Sequence, residues 1–230
     1  MKGWRLAVLG AGASLVWSTG FAGSVTIPGI AGSLSVPVTS FQERRFDRIF
    51  QQEYDFSCGS AAVASLLTFH YDDEFSEREV FESMLALADA GKVRQEGFSM
   101  LDMKNFLGAE GYQADGIRLP LKGLREQVRL PTIVLLNLNG FRHFVVIKGI
   151  NDKEVLVGDP ARGVNAYSHQ EFEESWDGTA FVIRNHLETG RRAFSTEEDW
   201  AQVTRAPLQE GLVEPPVGHT LPYWPSTQEW

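Results

Sequence analysis

Cys58 is the only cysteine of this 230-residue chain, and that solitude narrows what its thiol can do. It cannot close an internal disulfide, and a thiolate metal site would need further cysteines or histidines at short spacing. The five histidines, at 70, 143, 169, 186 and 219, are scattered, so neither a metal nor another cofactor is expected. What remains is a buried inert side chain, a bridge between chains, or a reactive nucleophile. Cys58 stands where an extended segment meets a helical pattern, with Ala62, Val63, Leu66 and Leu67 recurring on one face and Ser57 or Asp55 as candidate caps. A helix start carries unpaired backbone N–H groups and a partial positive charge, which stabilise a thiolate and can hold an oxyanion. Gly59 and Ser60 keep the backbone open to an approaching substrate carbonyl.

Three further residues have the types that such a nucleophile needs. His143 lies within Phe141-Arg142-His143-Phe144-Val145-Val146-Ile147, an apolar strand pattern. An imidazole there is either a hydrogen-bonded core residue or a functional group held on a rigid sheet. Strand side chains alternate, so His143 shares a face with Val145 and Ile147. The next strand ends at Gly158-Asp159. A three-residue hairpin loop, Asn151–Lys153, would set Asp159 opposite Val145 and diagonal to His143, roughly 7–8 Å away between alpha carbons. A two-residue loop would turn Asp159 to the other face unless a bulge restored it. Taken alone, Asp159-Pro160 reads as an ordinary turn. Gln52, six residues before Cys58, has an amide that could donate to an oxyanion, and Gln51 competes for that role. Together, Cys58, His143 and Asp159 match the logic of nucleophile, base and orienter.

The elements that must position these residues change period along the chain. Helices are expected over 59–71, 77–90 (opened by the capping box Ser76-Glu77-Arg78-Glu79 and stopped by Gly91), 100–109 and 121–128. Strands follow at Thr132–Leu138, Arg142–Ile150, Glu154–Gly158 and Thr179–Arg184, with a short helix over 168–176. Helices first and antiparallel strands later is the α+β class, one layer of helices packed on a sheet. The expected domain occupies 46–186.

The flanks are different. Lys2 and Arg5 precede an uncharged apolar stretch ending in Gly20 and Ala22, the pattern of an export signal over residues 1–22. Gly10, Gly12, Ser14, Ser18 and Thr19 make it a poor membrane span, so cleavage and a periplasmic location, without stable membrane insertion, are expected. Losing it takes the net charge from −9 to −11, which with no basic run argues against nucleic-acid binding. Residues 23–45 suggest an extended lead-in, an edge strand in view of Pro28 and Pro37. Residues 187–230 read as an extension, one short helix opened near Ser195–Glu198 and then a proline-rich tail.

Gln52-x5-Cys58-Gly59-x-Ala61-Ala62, His143-Phe144-Val145-Val146 and Asp159-Pro160, in this order, resemble the double-glycine (bacteriocin-processing) peptidases of the papain-like group. The resemblance covers about residues 47–185. It implies a papain-like fold with N-terminal helices packed on an antiparallel sheet. It also implies Cys58 as nucleophile, His143 as base, Asp159 as its orienter and Gln52 as oxyanion donor. Many members form the cytosolic N-terminal part of an ABC exporter, whereas the export signal here implies a stand-alone exported form. That form is similar to the peptidase-like proteins of functional-amyloid secretion systems, and implies a protein or peptide substrate such as an amyloid subunit or secretion component. A non-catalytic module that binds an export substrate, and an amidase acting on peptidoglycan, are the rival readings.

Overall fold

The computed structural model describes residues 24–29, 32–37, 45–138 and 140–203. The expected export signal and the proline-rich tail lie outside them. Two units separate, Met1–Phe41 and Gln42–Trp230. In the first, strands β1 (Ser24–Gly29) and β2 (Gly32–Pro37) pair antiparallel, with Ser24 opposite Pro37 and Gly29 opposite Gly32. The lead-in is therefore a hairpin rather than one edge strand.

In the second unit the first half of the chain is helical: α1 (Cys58–His70), α2 (Glu77–Leu87), α3 (Ala90–Glu96) and α4 (Met100–Ala109). Capping boxes open α2 at Ser76–Glu79 and α4 at Ser99–Asp102, so each hydroxyl and each acid satisfies a backbone donor that the helix leaves orphaned. Gly91 does not end a helix, as its residue type suggests. Asp89 accepts from the N–H groups of Gly91 and Lys92 and so starts α3.

After β3 (Ala114–Arg118), α5 (Leu121–Gly123) runs into a π-helical turn over Leu124–Val128. Then come β4 (Thr132–Leu138), β5 (Phe141–Ile150), β6 (Glu154–Asp159), β7 (Gly163–Ser168), α6 (His169–Ser175) and β8 (Trp176–Ile183). One antiparallel sheet of six strands results, ordered β3-β8-β4-β5-β6-β7.

Alternation along the central strands divides the core in two. Phe144, Val146 and Leu156 pack in one cluster with Ala62, Val63, Leu66 and Leu67 of α1. Val145, Ile147, Val155 and Val157 pack in the other, with Leu121, Leu124 and Phe172 from α5, its π-turn and α6. Helical elements thus cover both faces, where the sequence pattern suggests one layer.

The hairpin between β5 and β6 turns on two residues, not three. Asn151 donates its N–H to Glu154 O at 3.0 Å, and its side chain accepts from the N–H groups of Lys153 and Glu154, an Asx turn that closes the loop over Asp152-Lys153. Ile150 then pairs with Val155 and Gly149 with Leu156, but beyond them Ile147 pairs with Val157 and Val146 with Gly158. The extra residue on β5 is Lys148, a β-bulge that shifts the register by one. Continuing this register sets Asp159 beside Val145.

The segment after β8 folds back as α7 (Leu187–Arg192) and α8 (Glu197–Ala201), where one short helix is expected from the sequence. Gly190 lies so close to Tyr71 and Leu130 that a β-carbon would meet them at 2.8–2.9 Å. No helix among the described residues is long and apolar enough to cross a membrane.

The depth of α1 sets its mutational sensitivity. Leu66 is fully buried, whereas Leu101 of α4 is largely exposed. Leu66→Ala should lower unfolding stability by about 2–5 kcal/mol and Leu101→Ala by less than about 0.5 kcal/mol, read from urea midpoints.

Candidate active site

Ser57 occupies the N-cap position of α1, but its side chain makes no capping bond to the helix. It turns back instead: its Oγ accepts the Tyr54 N–H at 3.1 Å and lies 3.1 Å from Tyr54 O. The first turn also contains no acid. Cys58, the first residue of this helix and 8 % exposed, thus sits at its positive end, with the Glu77 carboxylate against the same turn, accepting from Ser60 Oγ at 3.1 Å. Gly59 has a packing reason not visible in the sequence. A β-carbon there would sit 2.9 Å from Met103 Cε and 3.1 Å from Phe98 Cβ, so its glycine lets α4 and the loop before it close under the turn that carries Cys58.

His143, 2 % exposed, directs Nε2 at Asp159 Oδ1 at 2.7 Å. An ionised carboxylate only accepts, so Nε2 carries the proton, and Nδ1 is the nitrogen left for the thiol. Nδ1 is buried and makes no regular hydrogen bond. Burial disfavours the imidazolium, but hydrogen bonding and charge from Asp159 and Cys58 outweigh it and hold the His143 pKa up at about 9. Asp159 itself sits below the usual carboxylate range. Its burial works against this, and the bond from His143 with the N–H groups of Ala161 and Arg162 overcomes it. Those two donors reach the same Oδ1, at 2.8 and 3.2 Å. Asp159 is therefore both the turn former its dipeptide suggests and the partner of His143.

Gln52 is joined to this turn through its backbone, whose N–H donates to Pro160 O at 3.0 Å. Its side-chain Nε2 donates to Tyr54 O at 2.9 Å, and its Oε1 is buried without a hydrogen-bond partner. The structure thus brings together Cys58, His143 and Asp159, while Gln52 hydrogen-bonds to neither Cys58 nor His143. Gln51 is exposed. Sequence reasoning missed Phe141, 58 % exposed, whose ring stacks on the imidazole at 5.8 Å and 26°. The available signal was an aromatic two residues before His143, hence on its face.

A thiol at the start of a central helix, facing a histidine–aspartate pair on an antiparallel sheet, defines the fold and layout of a papain-like cysteine peptidase. The chain belongs to the Peptidase C39 family, whose model matches residues 47–188. It is 42 % identical over 161 residues to a protein of Pseudomonas aeruginosa named "Probable functional amyloid protease FapD", covering 70 % of each chain. A protein of the same name from Pseudomonas fluorescens is 37 % identical over 165 residues, covering 71 % of this chain and 73 % of that one. Among solved structures, the fold is similar to the peptidase domain of Streptococcus ComA, a bi-functional ABC transporter. The TM-score is 0.51 at 22 % identity, over 59 % of this chain and 96 % of that one. A double glycine motif protease from an AMS/PCAT transporter, solved with its leader peptide, gives the same TM-score of 0.51 and identity of 22 %, over 72 % of this chain and 94 % of that one.

A histidine whose proton affinity rises on folding adds stability that is fully present below its unfolded pKa near 6.5 and is lost as pH rises through about 9. NMR titration should place the His143 midpoint near 9, and Asp159→Asn should bring it down toward 6.5.

Proposed function

We propose that this protein is an exported cysteine endopeptidase that cuts a co-exported protein after small residues, with a Gly-Gly pair as the specific expectation. The observation that carries the reading is the 2.7 Å bond between His143 and Asp159, set beside a thiol at an uncapped helix start. In this reading Cys58, as the thiolate, attacks the scissile carbonyl carbon. The resulting oxyanion is held by the N–H groups of the α1 tip and by Gln52, whose second Nε2 hydrogen is not needed by Tyr54. His143, as the imidazolium, gives its Nδ1 proton to the departing amine, leaving an acyl group on Cys58. Neutral His143 then takes a proton from water, which attacks the thioester and releases the new carboxyl terminus, leaving the Cys58 thiolate and the His143 imidazolium for the next cycle. Asp159 keeps the ring oriented throughout.

The substrate proposed is a functional-amyloid subunit or a component of its secretion machinery. The two relatives named for a functional-amyloid protease support it. Export rests on the signal pattern over residues 1–22. N-terminal sequencing of the chain recovered from a periplasmic extract should begin just after Ala22, and an intact Met1 would contradict export with cleavage.

Replacing Cys58 by Ala should lower cleavage of the co-exported substrate by at least about 1000-fold. Mass spectrometry of the products should show a protein cut after a small residue. Unchanged processing would overturn the nucleophile, and a trimmed muropeptide would favour the peptidoglycan amidase instead.

A further inference from the structure

Lys148, the extra residue of the β5 bulge, is fully buried, and so is the carboxylate it meets, Asp199 of α8, at 2.8 Å. Burying two charges costs several kcal/mol before their attraction repays any of it, so such a pair is weak evidence of stabilisation and better evidence of a fixed geometry. What it fixes is visible from its neighbours. Lys148 Nζ also donates to Arg48 O at 2.9 Å, on the segment that leads to Gln52 and Cys58. The lysine stem lies over Gly158, where a β-carbon would meet Lys148 Cδ at 3.2 Å and Ile49 Cδ1 at 3.1 Å. Gly158 is the residue before Asp159, and Pro160, the residue after it, accepts from Gln52 N–H. The turn that presents Asp159 is thus braced on one side by Lys148 and on the other by the segment Lys148 holds.

The C-terminal segment grips the bulge at two more points. Ser195 N–H donates to Lys148 O at 2.8 Å. Gly149, the other bulge residue, touches Ser195 so closely that a β-carbon would come within 2.7 Å of its Cα. Around the ion pair, Arg48 bonds Asp199 at 3.1 Å and the exposed Glu198 at 3.1 Å, and Thr196 Oγ1 donates to Asp199 Oδ2 at 2.8 Å. His70, at the end of α1, sets Nδ1 3.2 Å from Ala193 O and stays neutral, its pKa lowered to about 3 by burial and then by Lys148. Nearly all of this strap, residues 187–203, lies beyond the region matched by the family model.

We propose that the strap is a positioning device for the catalytic histidine–aspartate pair: Asp199, through Lys148, holds the bulge in the register that keeps Asp159 on the face of His143. The inference rests on the peptidase reading of Cys58 and His143. Asp199 and Lys148 touch no substrate and act only through the hairpin.

The test is the pH dependence of Cys58 alkylation by iodoacetamide in the full chain, which needs no substrate, together with the melting temperature of each variant. The wild type should show a limb governed by His143 near pH 9. Asp199→Asn, which leaves the Lys148 charge unpaired, should move that limb toward pH 6.5 and slow alkylation at pH 7 about tenfold, and Asp159→Asn should do the same. Because Asp199→Asn can fail to fold, the pair is also replaced by Lys148→Met with Asp199→Leu, an apolar exchange that buried ion pairs often tolerate. Thr196→Ala loosens Asp199 without unpairing a charge and should give a smaller shift of the same sign. A folded double variant with the wild-type limb would overturn the positioning role while leaving the peptidase reading intact. A wild-type profile that His143→Ala leaves unchanged would show Cys58 uncoupled from His143, and would overturn the peptidase reading and the inference with it.

Discussion

The bond between His143 and Asp159 exists because β5 contains one residue more than the stretch of β6 it pairs with. A strand side chain faces one side of a sheet or the other, with nothing between. The two-residue loop at Asp152-Lys153 alone would put Asp159 on the face opposite His143. The bulge at Lys148 reverses that parity. Everything that touches the bulge therefore bears on the site: the Ser195 N–H, the close packing of Gly149, the Lys148 stem over Gly158, and the carbonyl of Arg48. The papain-like layout fixes where the helix and the sheet meet, and this single added residue fixes which way the aspartate points.

The electrostatics of the two buried clusters differ in kind. Around His143 the proton is shared with acceptors, so the imidazolium is favoured despite burial. Around Lys148 two cations converge on Asp199, and the neighbouring His70 is kept neutral. Burial also lowers the proton affinity of Lys148, and Asp199 works against that shift. One cluster is arranged to hold a proton that chemistry can use. The other holds a geometry and leaves its histidine without charge.

Much of the site was legible because it depends on local chemistry. A lone cysteine at a helix start, a histidine in an apolar strand and an aspartate at the end of the next strand are each ambiguous alone, and together they match nucleophile, base and orienter. The paired strands also carry the alternation that orients them. What was not legible depends on contacts between distant segments. The sequence leaves the loop open between three residues and two with a bulge, because Asn151 serves as a turn residue under either count, and only its bonds to Lys153 and Glu154 decide. A signal for the bulge did exist: Lys148-Gly149 interrupts an apolar strand, and glycine inside a strand marks a bulge or a close approach. Strands β3 and β7 are short and half polar, so they are held mainly by pairing with β8 and β6. The docking of α7 and α8 shows in no periodicity, because it rests on the buried Asp199 carboxylate, on Gly149 against the Ser195 backbone, on Gly190 against the Tyr71 and Leu130 side chains, and on the scattered apolar residues Phe194, Trp200 and Val203.

The central claim is that Cys58 forms the covalent intermediate, with His143 and Asp159 serving that step. Acid quenching during turnover of the co-exported substrate, followed by mass spectrometry of the intact chain and its Cys58 peptide, tests it most directly. The quenched chain should be heavier by the amino-terminal fragment less one water, with the added mass on Cys58. Substrate cleaved at full rate with no mass on Cys58 at any quench time, and still cleaved when Cys58 is alanine, would contradict it.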